Sequence, residues 1–112
     1  MMITTGYKRT SILAAAVVLS LSTTTTAFAA CSDPAAQGVD WSGCDKSRTD
    51  LKGAFLTAAN LTGADLFAAE LPDAILTGAD LTGVNLTGAG LSHAIWTDGM
   101  KICAEGAVGE CK

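Results

Sequence analysis

Four cysteines are the most reactive side chains in the 112-residue chain, and their spacing limits what they can do. Structural zinc sites are typically built on Cys-x-x-Cys pairs, and the chain has no such pair. Two disulfides are the alternative, with three possible pairings. The spacing favours Cys31 with Cys44 and Cys103 with Cys111, because the segment AEGAVGE between the last two contains two glycines and can turn back on itself.

Catalytic chemistry is not supported by the titratable residues. The only histidine, His93, has no acid or nucleophile placed beside it by the sequence, so a Ser-His-Asp arrangement cannot be argued. Acidic residues are numerous, but the dense Gly- and Asp-rich loops that wrap calcium are absent. The sequence therefore predicts a protein without enzymatic activity, metal or cofactor.

Residues 1–29 have the three parts of a secretory signal peptide. Lys8 and Arg9 form the positive start, SILAAAVVLSLS is an apolar run, and Ala27 and Ala29 stand at the two positions that a signal peptidase reads. The apolar run is shorter than the ~20 residues that a membrane-spanning helix needs. We expect a signal helix cleaved after Ala29, and a periplasmic or secreted mature protein whose oxidising surroundings suit disulfides.

Two alternatives to cleavage after Ala29 remain open at this point. The leader could be retained as a membrane anchor, or Cys31 could be lipidated. A lipid-attachment sequence normally has Leu where Phe28 stands and joins the apolar run directly, whereas here four threonines intervene. No membrane contact is expected after cleavage.

The charge of the predicted mature chain excludes direct binding to nucleic acid. With Lys8 and Arg9 removed, five basic residues remain against eleven acidic ones, which gives a net charge of −6. Such a chain has no basic patch to neutralise phosphates or anionic lipid headgroups. The partner is therefore expected to be a protein or a second copy of the chain.

From Thr49 onward the chain divides into units of five residues, such as ANLTG, ADLTG and VNLTG. Most units begin with Ala, and the third residue is apolar in every unit. These third residues are the predicted core: Leu51, Leu56, Leu61, Leu66, Leu71, Leu76, Leu81, Leu86, Leu91 and Trp96. On a helix, this spacing would distribute the leucines around the circumference. A short extended piece followed by a corner instead points the first and third residues inward and the second outward.

A longer period gives the number of units in one coil. The second residue is polar or Gly in most units, and it is apolar only at Phe55, Ile75 and Ile95, which are twenty residues apart. Four units per coil would stack these three side chains on one outer face. The acidic and amide residues would form columns on the other faces: Asp40, Asn60 and Asp80; Asp45, Asp65 and Asn85; Asp50 and Glu70.

The A-(D/N)-L-x-x units resemble the pentapeptide-repeat family, over about fifty residues. The resemblance implies an all-β fold, a right-handed quadrilateral parallel β-helix of about three coils. It does not imply a single function. The best-known cytoplasmic members of the family are acidic dimers that mimic DNA and bind DNA gyrase.

The sequence thus predicts four regions: the signal peptide (1–29), an N-terminal cap or degenerate first coil (30–48), the repeat β-helix (49–98) and a C-terminal cap with a disulfide loop (99–112). Trp41 and Lys46 fall at Leu positions of the degenerate part, and Lys46 cannot lie unpaired in a dry core. Exposed ends of a solenoid need such caps.

The leading functional hypothesis is an exported, non-catalytic structural or protein-interaction module. Phe55, Ile75 and Ile95 are its candidate contact surface, and Phe67 is expected to extend that surface. The competing interpretation is that the terminal segment packs over these residues. The alternative function is inhibition of a topoisomerase such as DNA gyrase by an acidic, DNA-like surface.

Overall fold

The computed structural model describes residues 29–112. The predicted signal peptide, apart from Ala29, lies outside the described residues. Within 29–112 there is no helix and no multi-residue strand, because each five-residue unit contributes one bridged residue followed by a turn. The bridged residues recur at every fifth position from Asp40 to Ile95. The chain is a β-helix, as its repeat predicts.

The register of the bridges fixes how the units stack. Parallel bridges join residues that are twenty apart, for example Asp40 with Asn60 and Asn60 with Asp80. One turn of the β-helix therefore takes four units. For description, residues 39–58, 59–78 and 79–98 are the first, middle and last coils. Each unit of the first and middle coils shares three backbone hydrogen bonds with the coil above, as when Gly63 N–H donates to the carbonyl of Thr82 at 2.8 Å.

The core is a column of leucines with small residues between them. Leu56, Leu61, Leu66 and Leu71 are at most 1% exposed, and alanines such as Ala59 are equally buried. Three predicted core residues are different, because Leu81, Leu86 and Trp96 are only partly buried. They belong to the last coil, which has no complete coil above it.

Corners are made by a left-handed residue at the fifth position of every unit from 39–43 to 89–93. Glycine occupies most of these positions, since it adopts positive φ without steric cost. Five corners carry other residues in the same conformation: Arg48, Ala58, Ala68, Asp73 and His93. The stacked coils therefore impose the left-handed conformation even on residues that adopt it at a cost in free energy.

The first coil is regular in backbone although its sequence departs from the repeat. Asp40 and Asp45 are bridged like their counterparts in later coils. Trp41, at a Leu position, is 1% exposed, and its indole N–H donates to the carbonyl of Asp33 at 3.1 Å. Lys46 avoids a dry core: its Nζ donates to the carbonyl of Cys31 and lies 4.2 Å from the centroid of the Trp41 ring. The repeat geometry thus begins before Thr49.

Disulfides close both ends of the β-helix. The structure joins Cys31 to Cys44 and Cys103 to Cys111, which is the pairing that the spacing favours. Beyond Gly99 the chain reverses and runs antiparallel to the last coil, with Ile102 bridged to Ile95 and Val108 to Gly90. This reversal forms the C-terminal cap.

Candidate functional site

The apolar ridge, defined as Phe55, Ile75 and Ile95, is one continuous column. Parallel bridges join Phe55 to Ile75 and Ile75 to Ile95. Phe55 is 62% exposed, whereas Ile75 and Ile95 are partly buried by their neighbours. Stacking therefore produces an apolar strip along one outer face of an otherwise polar repeat.

The C-terminal segment lengthens this strip. Ile102 is bridged to Ile95 in the antiparallel sense, so its side chain lies on the same outer face, and it is 62% exposed. Met100 and Val108 of the same segment are also exposed, at 84% and 54%. Among the described residues, the segment runs along the edge of the last coil and leaves Phe55 uncovered. Sequence reasoning missed Ile102, because an antiparallel return has no period to detect.

Phe67 does not extend the apolar ridge. It occupies a corner between the Asp65 unit and the Glu70 unit, so the column that contains Glu70 separates it from Ile75. The ring is half-buried and has the guanidinium carbon of Arg48 5.1 Å from its centroid. Adjacency in sequence was misleading, because in a four-sided coil the next unit lies on a different face.

The outward Asp and Asn residues hold the corners that follow them. Asp40 Oδ1 accepts the hydroxyl of Ser42 at 2.7 Å and its N–H at 3.0 Å, which together lower the pKa of Asp40. Asp80 accepts the same pair of bonds from Thr82, which lowers the pKa of Asp80. Asn60 holds Thr62 in the same way without a charge. The signal was present in the sequence as the recurring D/N-x-T pattern, which is typical of side chains that close turns.

The acidic columns are as the twenty-residue period predicts. Bridges join Asp45 to Asp65 and Asp50 to Glu70, so like charges lie one above the other on two faces. Asn85 relieves one such contact by donating its amide to Asp65 Oδ1 at 3.2 Å. Among residues 29–112, no group of three or more His, Cys, Asp or Glu side chains is arranged to hold a metal ion.

His93 is a surface side chain at a corner. Its Nδ1 is 3.9 Å from Asp73 Oδ1, and both side chains are more than half exposed. An exposed pair at this distance contributes little to stability. The pair holds two corner residues of successive coils near each other.

Three further findings bear on the identity of the chain. A family model described as pentapeptide repeats matches residues 35–67 and 59–95, with 8 copies, and thus covers more than half of the chain. No similar sequence is found among curated proteins. In the part of the chain that the structure describes, no helix is both long and apolar enough to cross a membrane.

Proposed function

Because the chain belongs to the pentapeptide-repeat family, whose members are generally non-catalytic, we propose that it is an exported protein-interaction or structural module that uses the apolar ridge as its contact surface. The observation that carries this proposal is the exposure of Phe55, at 62%, in line with Ile75 and Ile95. Outward positions elsewhere in the repeat are mostly polar. A contiguous apolar strip with a polar border is typical of an interaction surface.

Export is part of the proposal and rests on two features. The first 29 residues have the pattern of a cleaved signal peptide, and four cysteines form two disulfides at the ends of the β-helix. Disulfides persist in the periplasm and outside the cell, and they are rare in the cytosol. Determining the N-terminal residue of the protein recovered from the periplasm would test cleavage after Ala29.

We also propose the finer description of the fold: a right-handed winding of about three coils, preceded by a signal helix in the precursor. The winding sense follows the pentapeptide-repeat family, and the number of coils is supported by the twenty-residue register of the bridges. An experimental structure of the mature chain would test both.

The apolar ridge is tested with variants of its outward side chains. Ile75→Asp places a charge in the middle of the ridge. Phe55→Ser removes its most exposed side chain and should leave the packing of the core unchanged. Gly90→Asp is the control, because it adds the same charge at an outward position of another face, where a Cβ has open space. We expect the two ridge variants to lose self-association or partner capture from the periplasmic fraction, and the control to retain it.

The proposal fails if the ridge variants remain folded and bind as the parent does. If Ile75→Asp unfolds, Phe55→Ser still decides the question, because this side chain is mostly in solvent. Folding of each variant is checked by its thermal unfolding midpoint with the disulfides intact.

The second candidate function is DNA mimicry toward a topoisomerase such as DNA gyrase. The stacked carboxylates of Asp45 with Asp65 and of Asp50 with Glu70 favour it. A supercoiling assay with the purified mature chain tests it directly. We expect no inhibition, because a coil separation of ~4.8 Å makes three coils short compared with a DNA duplex site. Inhibition that is lost on neutralising Asp45 and Asp65 would favour mimicry instead.

A further inference from the structure

The C-terminal cap forms backbone hydrogen bonds with only half of the upper edge of the last coil, although its Gly109 also lies near the backbone of Leu86 and Gly88. Leu91 N–H donates to the carbonyl of Ala107 and His93 N–H to that of Cys103, both at 2.9 Å. Trp96 N–H donates to the carbonyl of Lys101 at 2.8 Å. The last two units of the coil are therefore paired from above by an added extended segment.

The other half, residues 79–88, is here called the open edge. In the coil below, Leu61 N–H donates to the carbonyl of Asp80 at 3.0 Å and Gly63 N–H to that of Thr82 at 2.8 Å. The equivalent donors of the open edge have no acceptor within residues 29–112. They are the N–H groups of Leu81, Gly83, Leu86 and Gly88.

The acceptors of the open edge are also unused. The carbonyl of Ala59 accepts the N–H of Asp80 at 2.9 Å, and that of Ala64 accepts the N–H of Asn85 at 3.1 Å. The carbonyls of Ala79 and Val84 stand at the same places one coil higher and accept no backbone donor of the described chain. Four donors and two acceptors are thus left unpaired on two adjacent sides of the coil, in the register that joins one coil to the next.

An apolar floor lies beside these groups. Leu81, Val84 and Leu86 are partly exposed, whereas Leu61 and Leu66 in the same columns are at most 1% exposed. An unpaired edge next to uncovered apolar side chains is the arrangement that accepts an additional strand.

We propose that the open edge binds an extended basic segment of a partner protein as an added strand. The C-terminal cap shows on the same coil what such a segment does. Its backbone pairs with the coil, and its inward residues Cys103 and Ala107 are small and buried. Its outward residues Ile102 and Val108 form backbone bridges with Ile95 and Gly90.

Charge selects the outward residues of this partner segment. They would lie next to Asp80 and Asn85, above columns that also contain Asp40, Asp45 and Asp65. Lys or Arg at these positions is favoured, and like charge at directly opposed positions is destabilising. A second copy of the chain, with a net charge of −6 after removal of residues 1–29, is for that reason the less favourable occupant.

The test begins with a display library of random peptides of about ten residues, the length of the open edge, selected against the disulfide-intact chain. We expect enrichment of Lys or Arg at two positions separated by about one five-residue unit, with small apolar residues between them. The enriched peptide is then synthesised and added to the labelled protein. Amide exchange should slow at Leu81, Gly83, Leu86 and Gly88, and stay unchanged at Leu91 and Trp96.

Two pairs of variants locate the contact. Leu86→Lys puts a charge into the apolar floor and should weaken peptide binding about tenfold or more, because the ammonium group loses solvent when the edge is covered. The fold should tolerate the change, because Leu86 is only partly buried and a lysine side chain can extend its ammonium group into solvent. Thr87→Lys adds the same charge on the exposed corner and should weaken binding much less.

Asp80→Asn should weaken binding a few-fold, with Asp50→Asn as the control on another face.

Three results would overturn the proposal. One is that selection against the parent chain enriches no peptide relative to selection against the Leu86→Lys variant. A second is that the enriched peptide slows exchange on the apolar ridge and not on the open edge. A third is that the four N–H groups become protected with rising protein concentration alone, which would make a second copy the occupant.

Discussion

The middle and last coils are built from the same five-residue motif, yet only in the middle coil are all the inward side chains buried. Leu61 is 0% exposed, whereas Leu81, twenty residues later in the same column, is partly exposed. Their units, ANLTG and ADLTG, differ only at the outward residue. In a solenoid each coil contacts only its neighbours, so burial depends on whether a neighbour is present and not on the motif.

The largest expected effect is on the core. Leu66→Ala leaves a cavity in a fully enclosed column and should lower the free energy of unfolding by about 3 to 5 kcal/mol. Leu86→Ala, one coil higher in the same column, should cost only about 1 to 2 kcal/mol, because less buried area is lost. Denaturant unfolding of both variants with intact disulfides measures the difference. Equal losses would mean that the open edge is covered in solution.

Removing the disulfide of the C-terminal cap should bring amide exchange in the paired half of the last coil closer to the rate in its open half. Replacing Cys103 and Cys111 together by Ala should cost about 2 to 3 kcal/mol in the chain-entropy model. Amide exchange at Leu91 and Trp96 should then rise toward the rate at Leu81, while exchange at Leu61 stays slow. Unchanged protection of Leu91 would show that backbone pairing holds the cap without its disulfide.

The contrast between the coils also explains what the sequence could and could not predict. The period of five placed Leu56 in the core, and the period of twenty aligned Phe55 with Ile75, because both properties repeat along the chain. The partial exposure of Leu86 and the position of Ile102 depend on how the chain ends, and an ending does not repeat. Lys46 contacts the backbone carbonyl of Cys31 and the ring of Trp41. No spacing rule predicts these two contacts.

Corner residues provide a matched pair on one column. Ala68 in the middle coil has φ of 55°, and Gly88 above it has φ of 72°. Ala68→Gly should stabilise the fold by about 1 kcal/mol because it removes backbone strain, and Gly88→Ala should cost about the same. The Cβ added at Gly88 would be 3.7 Å from the backbone of Ala68, which is ordinary contact, so strain and not a clash sets the cost. Thermal unfolding measures both shifts, and a loss of stability in Ala68→Gly would contradict the strain argument.

The smallest expected effect is on how stability depends on pH. It is seen by comparing two residues of one column. Asp80 in the last coil and Asn60 in the middle coil both hold a threonine two residues on, but only Asp80 can be protonated. The bonds from Thr82 lower the pKa of Asp80 in the folded chain. Its contribution to stability is therefore present above the ordinary pKa of an unfolded aspartate, about 3.9, and is lost as the pH falls through the lower folded value.

Asp80→Asn should keep the corner, as Asn60 does, and leave stability at neutral pH nearly unchanged. Below the ordinary aspartate pKa the variant should lose less stability than the parent chain on further acidification. The measurement is the urea midpoint as a function of pH, with Asp50→Asn as the control, since Asp50 receives only the N–H of Lys52 at 3.1 Å and no hydroxyl. If the two variants show the same change in acid sensitivity, the serine and threonine hydroxyls are not what couples the outward acids to the fold.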